Sequence, residues 1–129
     1  MTATIRSMFN TGPARSGEGE GTWTWRVEPI ATHPVHGGHF PGRPVTPGAA
    51  LVQLVQHLSS EVKGGTLRLK TARHIKFLTP VDPVKCTHFD LRIALTEAAD
   101  DIGFDAEATT DAYDGNPVVL LKMKGTFAR

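Results

Sequence analysis

Cysteine is almost absent from this 129-residue sequence: Cys86 is the one copy, which excludes an internal disulfide and any zinc site built on cysteines. An excess of either charge is also lacking. Lys and Arg number 14 against 13 Asp and Glu, a formal net charge of +1. That balance removes the bulk electrostatic argument for binding DNA, RNA or an anionic membrane. No apolar run approaches the roughly 18–20 residues that span a bilayer. The opening MTATIRSMFNTGPARSGEGEGT has no apolar stretch of the secretory kind. The expectation is therefore a reducing, cytoplasmic setting, with neither nucleic acid nor membrane as a partner. Internal repeats and low-complexity tracts are missing too. What is present, 40% hydrophobic and 21% charged residues, fits one soluble globular domain.

Residues 1–21 are rich in Gly, Ser, Arg and Glu and poor in apolar groups, so they read as a flexible arm or a loosely attached first strand before a single domain over 22–129. The alternation in Thr22-Trp23-Thr24-Trp25-Arg26-Val27 suits a half-buried strand. The Pro and Gly density of 33–44 forbids regular structure and implies a tight loop. Pro47 and Gly48 then open a helix over Ala49 to about Lys63, with Thr46 as candidate cap and Gly64-Gly65 as its stop. Leu51, Val52, Leu54, Val55, Leu58 and Val62 spread apolar groups over most of its circumference, so this helix wants to be wrapped. Gln53, Gln56, His57 and Ser60 form its one polar stripe. The rest reads as strand: Leu67/Leu69, Ile75/Phe77, 89–95, 102–106 and, after the turn Asp114-Gly115-Asn116-Pro117, 118–127. One apolar helix with several antiparallel strands and no βαβ alternation is α+β. Cys86 is expected to be packed rather than reactive.

His33, His36 and His39 recur at a spacing that invites a metal. Pro34 and Gly37-Gly38 deny them a shared helix face, and no neighbouring Asp, Glu or Cys completes a ligand set, so no metal is expected.

The string His39-Phe40-Pro41-Gly42-Arg43-Pro44-Val45-Thr46-Pro47-Gly48 resembles the signature of the hot-dog-fold 3-hydroxyacyl-[acyl-carrier-protein] dehydratases of the FabZ/FabA type. That family carries H-F-P-G-x-P-x-x-P-G directly before a central helix, the order found here. Lys76-Phe77-Leu78-Thr79-Pro80-Val81 resembles the strand end that follows the helix in those enzymes, and the likeness extends over about residues 22–129. The resemblance implies an antiparallel sheet wrapped around one apolar helix. It implies His39 as catalytic base and the Gly48 N–H as the group that polarises the thioester carbonyl. Phe40, Pro41, Gly42 and His57 are then expected beside the substrate. It implies no cofactor beyond the phosphopantetheine arm of an acyl carrier protein or coenzyme A, and dimeric assembly. Arg43, Arg73 and Lys76 are candidate carrier-docking residues, with Lys70 beside them.

These residue types suit the chemistry. Eliminating water from a 3-hydroxyacyl thioester removes a weakly acidic C2 proton and expels the C3 hydroxyl, which asks for a base of near-neutral pKa. The charge gathering on the thioester oxygen asks for fixed donors, and a helix N-terminus offers unpaired N–H groups. Pro41, Pro44 and Pro47 stiffen the loop that carries the base.

One position departs from the pattern. Fourteen residues after the histidine the family carries Glu or Asp; here stands Gln53, which hydrogen-bonds but delivers no proton. Three arrangements follow. His39 acts alone with Gln53 orienting the hydroxyl; the chain pairs with a paralogous subunit that supplies the acid; or it binds acyl thioesters without dehydrating them. The second is favoured, and divided dehydratases of that kind resemble polyketide and polyene enzymes more than housekeeping fatty-acid synthesis. Thioester hydrolysis on the same fold is a further alternative.

Overall fold

The computed structural model describes residues 5–34 and 45–129. Its elements run α1 (Ile5–Met8), β1 (Phe9–Thr11), β2 (Arg15–Ser16), β3 (Thr22–Pro29), α2 (Gly48–Lys63), β4 (Arg68–Phe77), β5 (Phe89–Ala98), β6 (Asp101–Thr110) and β7 (Val118–Ala128). The strands form one antiparallel sheet in the order β1-β3-β5-β6-β7-β4, with β2 also on β3. The α+β expectation holds: the sheet is seven-stranded, and α2 packs on it.

Strict alternation makes the sheet two-faced. Phe89, Leu91, Ile93 and Leu95 of β5, Ile102, Phe104, Ala106 and Ala108 of β6, and Met123 and Phe127 of β7 are buried. They join Trp25, Val27 and the α2 residues Leu51, Leu54, Val55 and Leu58 in one core. Phe104 and Phe127 stack with ring centroids 4.2 Å apart. The intervening residues Arg92, Asp105, Glu107, Lys122 and Lys124 share the opposite, charged face.

One local expectation needs correcting. Thr46 does not cap α2. Pro47 occupies the N-cap with extended backbone (φ −60°, ψ 140°) and no side-chain cap bond, while Thr46 lies buried one residue earlier. The stop is as read: Gly64 adopts φ 73°, open to glycine at little cost, and donates its N–H to Glu61 O. Of the two readings of the arm, the strand is the one seen in the described residues. Residues 5–16 lie on the domain, because β1 and β2 both pair with β3 and Met8 and Phe9 are buried. Phe9 meets Phe89 edge-on at 6.3 Å. A polar composition hid this two-residue apolar anchor.

β4 differs from every other long strand. It pairs with β7 on one side only, and all ten of its residues are exposed. Its entry is fixed by the helix. Gln56 Nε2 donates to Leu67 O at 2.9 Å, Leu67 N–H donates to Ser60 Oγ at 3.0 Å, and the Ser60 hydroxyl donates to Gln56 O at 2.8 Å. Ser60→Ala leaves the Leu67 N–H without its acceptor, and the expected loss is about 1–2 kcal/mol. The exposed Thr66→Ala should stay within about 0.5 kcal/mol of wild type. Urea denaturation followed by Trp23 and Trp25 fluorescence checks the difference.

Candidate active site

The loop expected to carry the base, with His36, His39, Phe40, Pro41, Gly42 and Arg43, lies outside the described residues. What the structure places is the ground on which that loop ends. Thr46 N–H donates to Val81 O at 2.8 Å, tying the approach to α2 onto the segment after β4. Gly48 then opens the helix. Ala50 and Leu51 N–H both turn back to Pro47 O, whereas the first N–H groups of a helix have no intrahelical acceptor and attract developing negative charge. A Cβ at position 48 would stand 2.6 Å from Phe77 Cζ, so a side chain there requires that exposed ring to swing aside. Phe77 and Leu78 are each 52% exposed, so apolar surface borders the helix N-terminus. The described end of the first segment that carried the resemblance, 45–48, thus meets the second, 76–81.

The segment after β4 is itself braced by a residue that sequence reading passed over. Tyr113 OH donates to Pro80 O at 2.7 Å and accepts the Asp82 N–H at 3.0 Å, flanking the Val81 carbonyl that holds Thr46. Burial pushes the Tyr113 phenol pKa up. Beside it, Thr110 Oγ1 and Cys86 Sγ both donate to His88 O, at 2.6 and 3.4 Å, and His88 Nε2 lies 3.1 Å from Asp111 Oδ1. Burial raises the Cys86 thiol above its ordinary pKa. Its packed state is as expected, and the cluster serves as a brace. The one signal in the sequence was that Tyr113 is its sole tyrosine.

Gln53 stands elsewhere on α2. Five residues at about 100° each set it roughly 140° around the helix from Gly48. Gln53 is exposed. It borders a shallow groove of about 430 Å³ with Ile5, His57, Thr66 and Leu67, in which neither Gly48 nor Phe77 takes part. His57 Nε2 lies 3.0 Å from Glu61 Oε1, which Arg6 also holds at 2.9 Å. The polar stripe is therefore divided: Gln56 and Ser60 are spent on Leu67, and Gln53 and His57 face outward. The sheet covers the apolar side of the helix, and Gln53 and Glu61 stay exposed among the described residues.

Of the candidate docking residues, Arg73 and Lys76 are exposed on β4. Lys70 is engaged by Asp101 at 2.8 Å, and that hydrogen bond raises its pKa. Among the described residues no three His, Cys, Asp or Glu side chains gather closely enough to hold a metal ion. His33 Nε2 instead lies 3.2 Å from Ser7 Oγ. No helix among them is long and apolar enough to cross a membrane.

Tyr113→Phe removes the hydroxyl bridging Pro80 and Asp82. We expect about 1–3 kcal/mol of lost stability. Cys86 should also react several-fold faster with a thiol reagent under native conditions, as measured by the rate of thiol labelling before unfolding.

Comparison with known proteins puts a family to this geometry. No curated protein matches the chain. Among solved structures, it is similar to the dehydratase heterocomplex ApeI:P from Xenorhabdus doucetiae, with TM-score 0.67 and 19% identity over 88% of this chain and 93% of that one. It is also similar to the putative thioesterase yhdA from Lactococcus lactis, at 0.66 and 13% over 98% and 96%. A hypothetical thioesterase from Streptococcus pneumoniae, solved with coenzyme A, follows at 0.65 and 12% over 97% and 89%. At such identities these likenesses establish the fold, the hot-dog fold. The ApeI dehydratase family model matches residues 15–116, which takes in the loop, the helix and five of the strands in full, and by that match the chain belongs to the ApeI-like dehydratase family.

Proposed function

We propose that this chain forms part of a composite active site that dehydrates a 3-hydroxyacyl thioester to the trans-2-enoyl thioester. The observation that carries this reading is the division of α2. Gly48, at the N-terminus beside Phe77, and Gln53, in the outward groove, serve different sides of one helix. A site of the FabZ/FabA type needs both positions against one substrate, and two chains bring them together more readily than one.

In this reading His39 takes the C2 proton, and the Gly48 N–H polarises the thioester carbonyl as charge gathers on its oxygen. Phe40, Pro41, Gly42 and the exposed Phe77 border the acyl chain. The C3–O bond breaks and the hydroxyl leaves as water once protonated. Gln53 cannot give that proton, so it comes from an acidic residue of a partner chain or from protonated His39. His57 is a bystander held by Glu61. The substrate rides on the phosphopantetheine arm of an acyl carrier protein or on coenzyme A. A polyene or polyketide setting is supported by the family and by the heterocomplex among the similar structures. A second reading, thioester hydrolysis, is favoured by the likeness to putative thioesterases. A third is a non-catalytic acyl-binding subunit.

Mass spectrometry of a 3-hydroxyacyl carrier protein, incubated with the chain alone and with a co-purified hot-dog subunit, separates the three. Loss of one water, release of free acid and no change mark dehydration, hydrolysis and mere binding. His39→Ala should lower kcat/KM by about 10²–10⁴-fold. Unchanged turnover in that variant rules out His39 as base. Gln53→Glu should raise the dehydration rate at chain concentrations where two copies pair, because each copy would then offer its acid to the other's Gly48, and Gly48→Ala should lower it by crowding Phe77 and the incoming carbonyl.

A further inference from the structure

Two irregularities in β4 decide what its helix-side face carries. Strict alternation counted from Phe77 would set Phe77, Ile75, Arg73, Thr71 and Leu69 on one face. The pairing with β7 slips instead between Leu69 and Thr71 and again between Ala72 and His74, so the ladder skips Lys70 and Arg73. Phe77 then lies opposite Leu121, Ile75 opposite Met123, Ala72 opposite Gly125 and Leu69 opposite Phe127. Leu121, Met123 and Phe127 are buried in the core, and directly opposed residues share a face. The slips thus exchange an arginine and a threonine on that face for one alanine. Phe77, Ile75, Ala72 and Leu69 form an uninterrupted apolar lane. The polar residues go elsewhere. Thr71, His74 and Lys76 pair with Thr126, Lys124 and Lys122 on the charged face, where Lys70 is held by Asp101 and Arg73 borders a hollow with Thr96 and Lys124.

The lane runs beside α2. Gly48, Val52, Gln56 and Ser60 recur every four residues along one side of that helix. Gly48 stands against the Phe77 ring, and Gln56 and Ser60 hold Leu67 at the strand's other end. Between these ties is Val52, half-buried and apolar. The helix flanks the lane without covering it, because Leu69, Ile75 and Phe77 are all exposed.

Its middle is low. Ala72 is the smallest side chain of the row, and Gly125 across from it has none. No side chain can be added at 125, since a Cβ there would run into Thr71 O. Four residues of β7 separate Leu121 from Gly125, so the dip lies about 13 Å along the strand from Phe77.

We infer that the lane holds the acyl chain of the bound thioester and that Ala72 sets how long a chain is accepted. The occupant follows from continuity: the lane begins at the helix N-terminus, where the Gly48 N–H would meet the thioester carbonyl, and a hydrocarbon leaving that point meets only apolar side chains. A short acyl group ends on Phe77 and Ile75. A long one crosses the strand through the dip at Ala72 and Gly125 before it reaches Leu69. The substrate class rests on the function proposed above, whereas the length rule rests on the register of β4.

The test uses the full chain together with any hot-dog subunit that co-purifies with it. Calorimetric titration compares hexanoyl- and tetradecanoyl-coenzyme A, both below their micellar concentrations. Ala72→Leu should weaken tetradecanoyl binding by about tenfold or more, the scale of overfilling a packed apolar site, and leave hexanoyl binding unchanged. His74→Leu, on the other face of the same strand, should alter neither. Ala72→Val carries the same comparison if the larger variant fails to fold by circular dichroism.

Equal loss at both lengths overturns the inference, as does no loss at either. A variant whose sedimentation changes while its length preference does not would assign the lane to another protein chain. The two readings fail separately. Length-selective binding by a complex that removes no water from 3-hydroxyacyl thioesters keeps the lane and refutes dehydration. Dehydration that Ala72→Leu leaves equally efficient at both lengths does the reverse.

Discussion

The backbone hydrogen bond from Thr46 N–H to Val81 O joins two stretches of chain that have no local reason to meet. One is the exit of a Pro- and Gly-rich loop, the other the irregular segment after β4. Clasped together, they set the first turn of α2 against Phe77 and fix where its free N–H groups point. Tyr113 makes the clasp rigid from behind by holding the peptides on either side of Val81. A helix terminus stabilises an oxyanion only if it is aimed before the charge appears. This interaction therefore sits upstream of any chemistry proposed for Gly48. It also brings the Phe77 ring into the space a Cβ at position 48 would take, so a side chain there must displace that ring.

The same helix cannot complete the site alone. Its apolar face is consumed by the core, through Leu51, Leu54, Val55 and Leu58, and its lower polar stripe by Leu67. Gly48 and Gln53 lie outside that core, and helical geometry holds them apart. Neither repacking nor a rotamer change moves two positions fixed five residues apart on one rigid element. In the composite-site reading, completion comes from a partner chain. Replacing a carboxylic acid by Gln53 is then tolerable in one subunit if the complementary subunit keeps its own.

Much of this was legible in the sequence for identifiable reasons. The strands of the sheet announced themselves because one face is buried and one charged, which imposes a period of two from Phe89 to Phe127. The helix and its stop followed from apolar spacing and Gly64-Gly65. The cap at Thr46 was misread because proline, though it offers no side-chain acceptor, still fills the N-cap backbone position and moves the start by one residue. The N-terminal arm stayed open between a flexible tail and a first strand because composition averages over twenty residues and hides the apolar pair Met8 and Phe9. The meeting of Gly48 with Phe77 and the brace from Tyr113 were beyond sequence reasoning, since both depend on tertiary closure. The polar stripe on α2 was visible as a stripe. That Gln56 and Ser60 serve Leu67 while Gln53 looks outward depends on where β4 enters.

β4 links assembly to chemistry. Its last residue, Phe77, is both the end of the open edge and the ring against Gly48. A strand added along β4 would run beside the helix N-terminus and bury Phe77 and Leu78 together with whatever acyl chain lies on them. Excluding water there would strengthen every interaction of the Gly48 N–H with a polarised carbonyl, because the local dielectric falls as solvent leaves. Association and activation of the site would then be one event, because the strand ends where the helix begins.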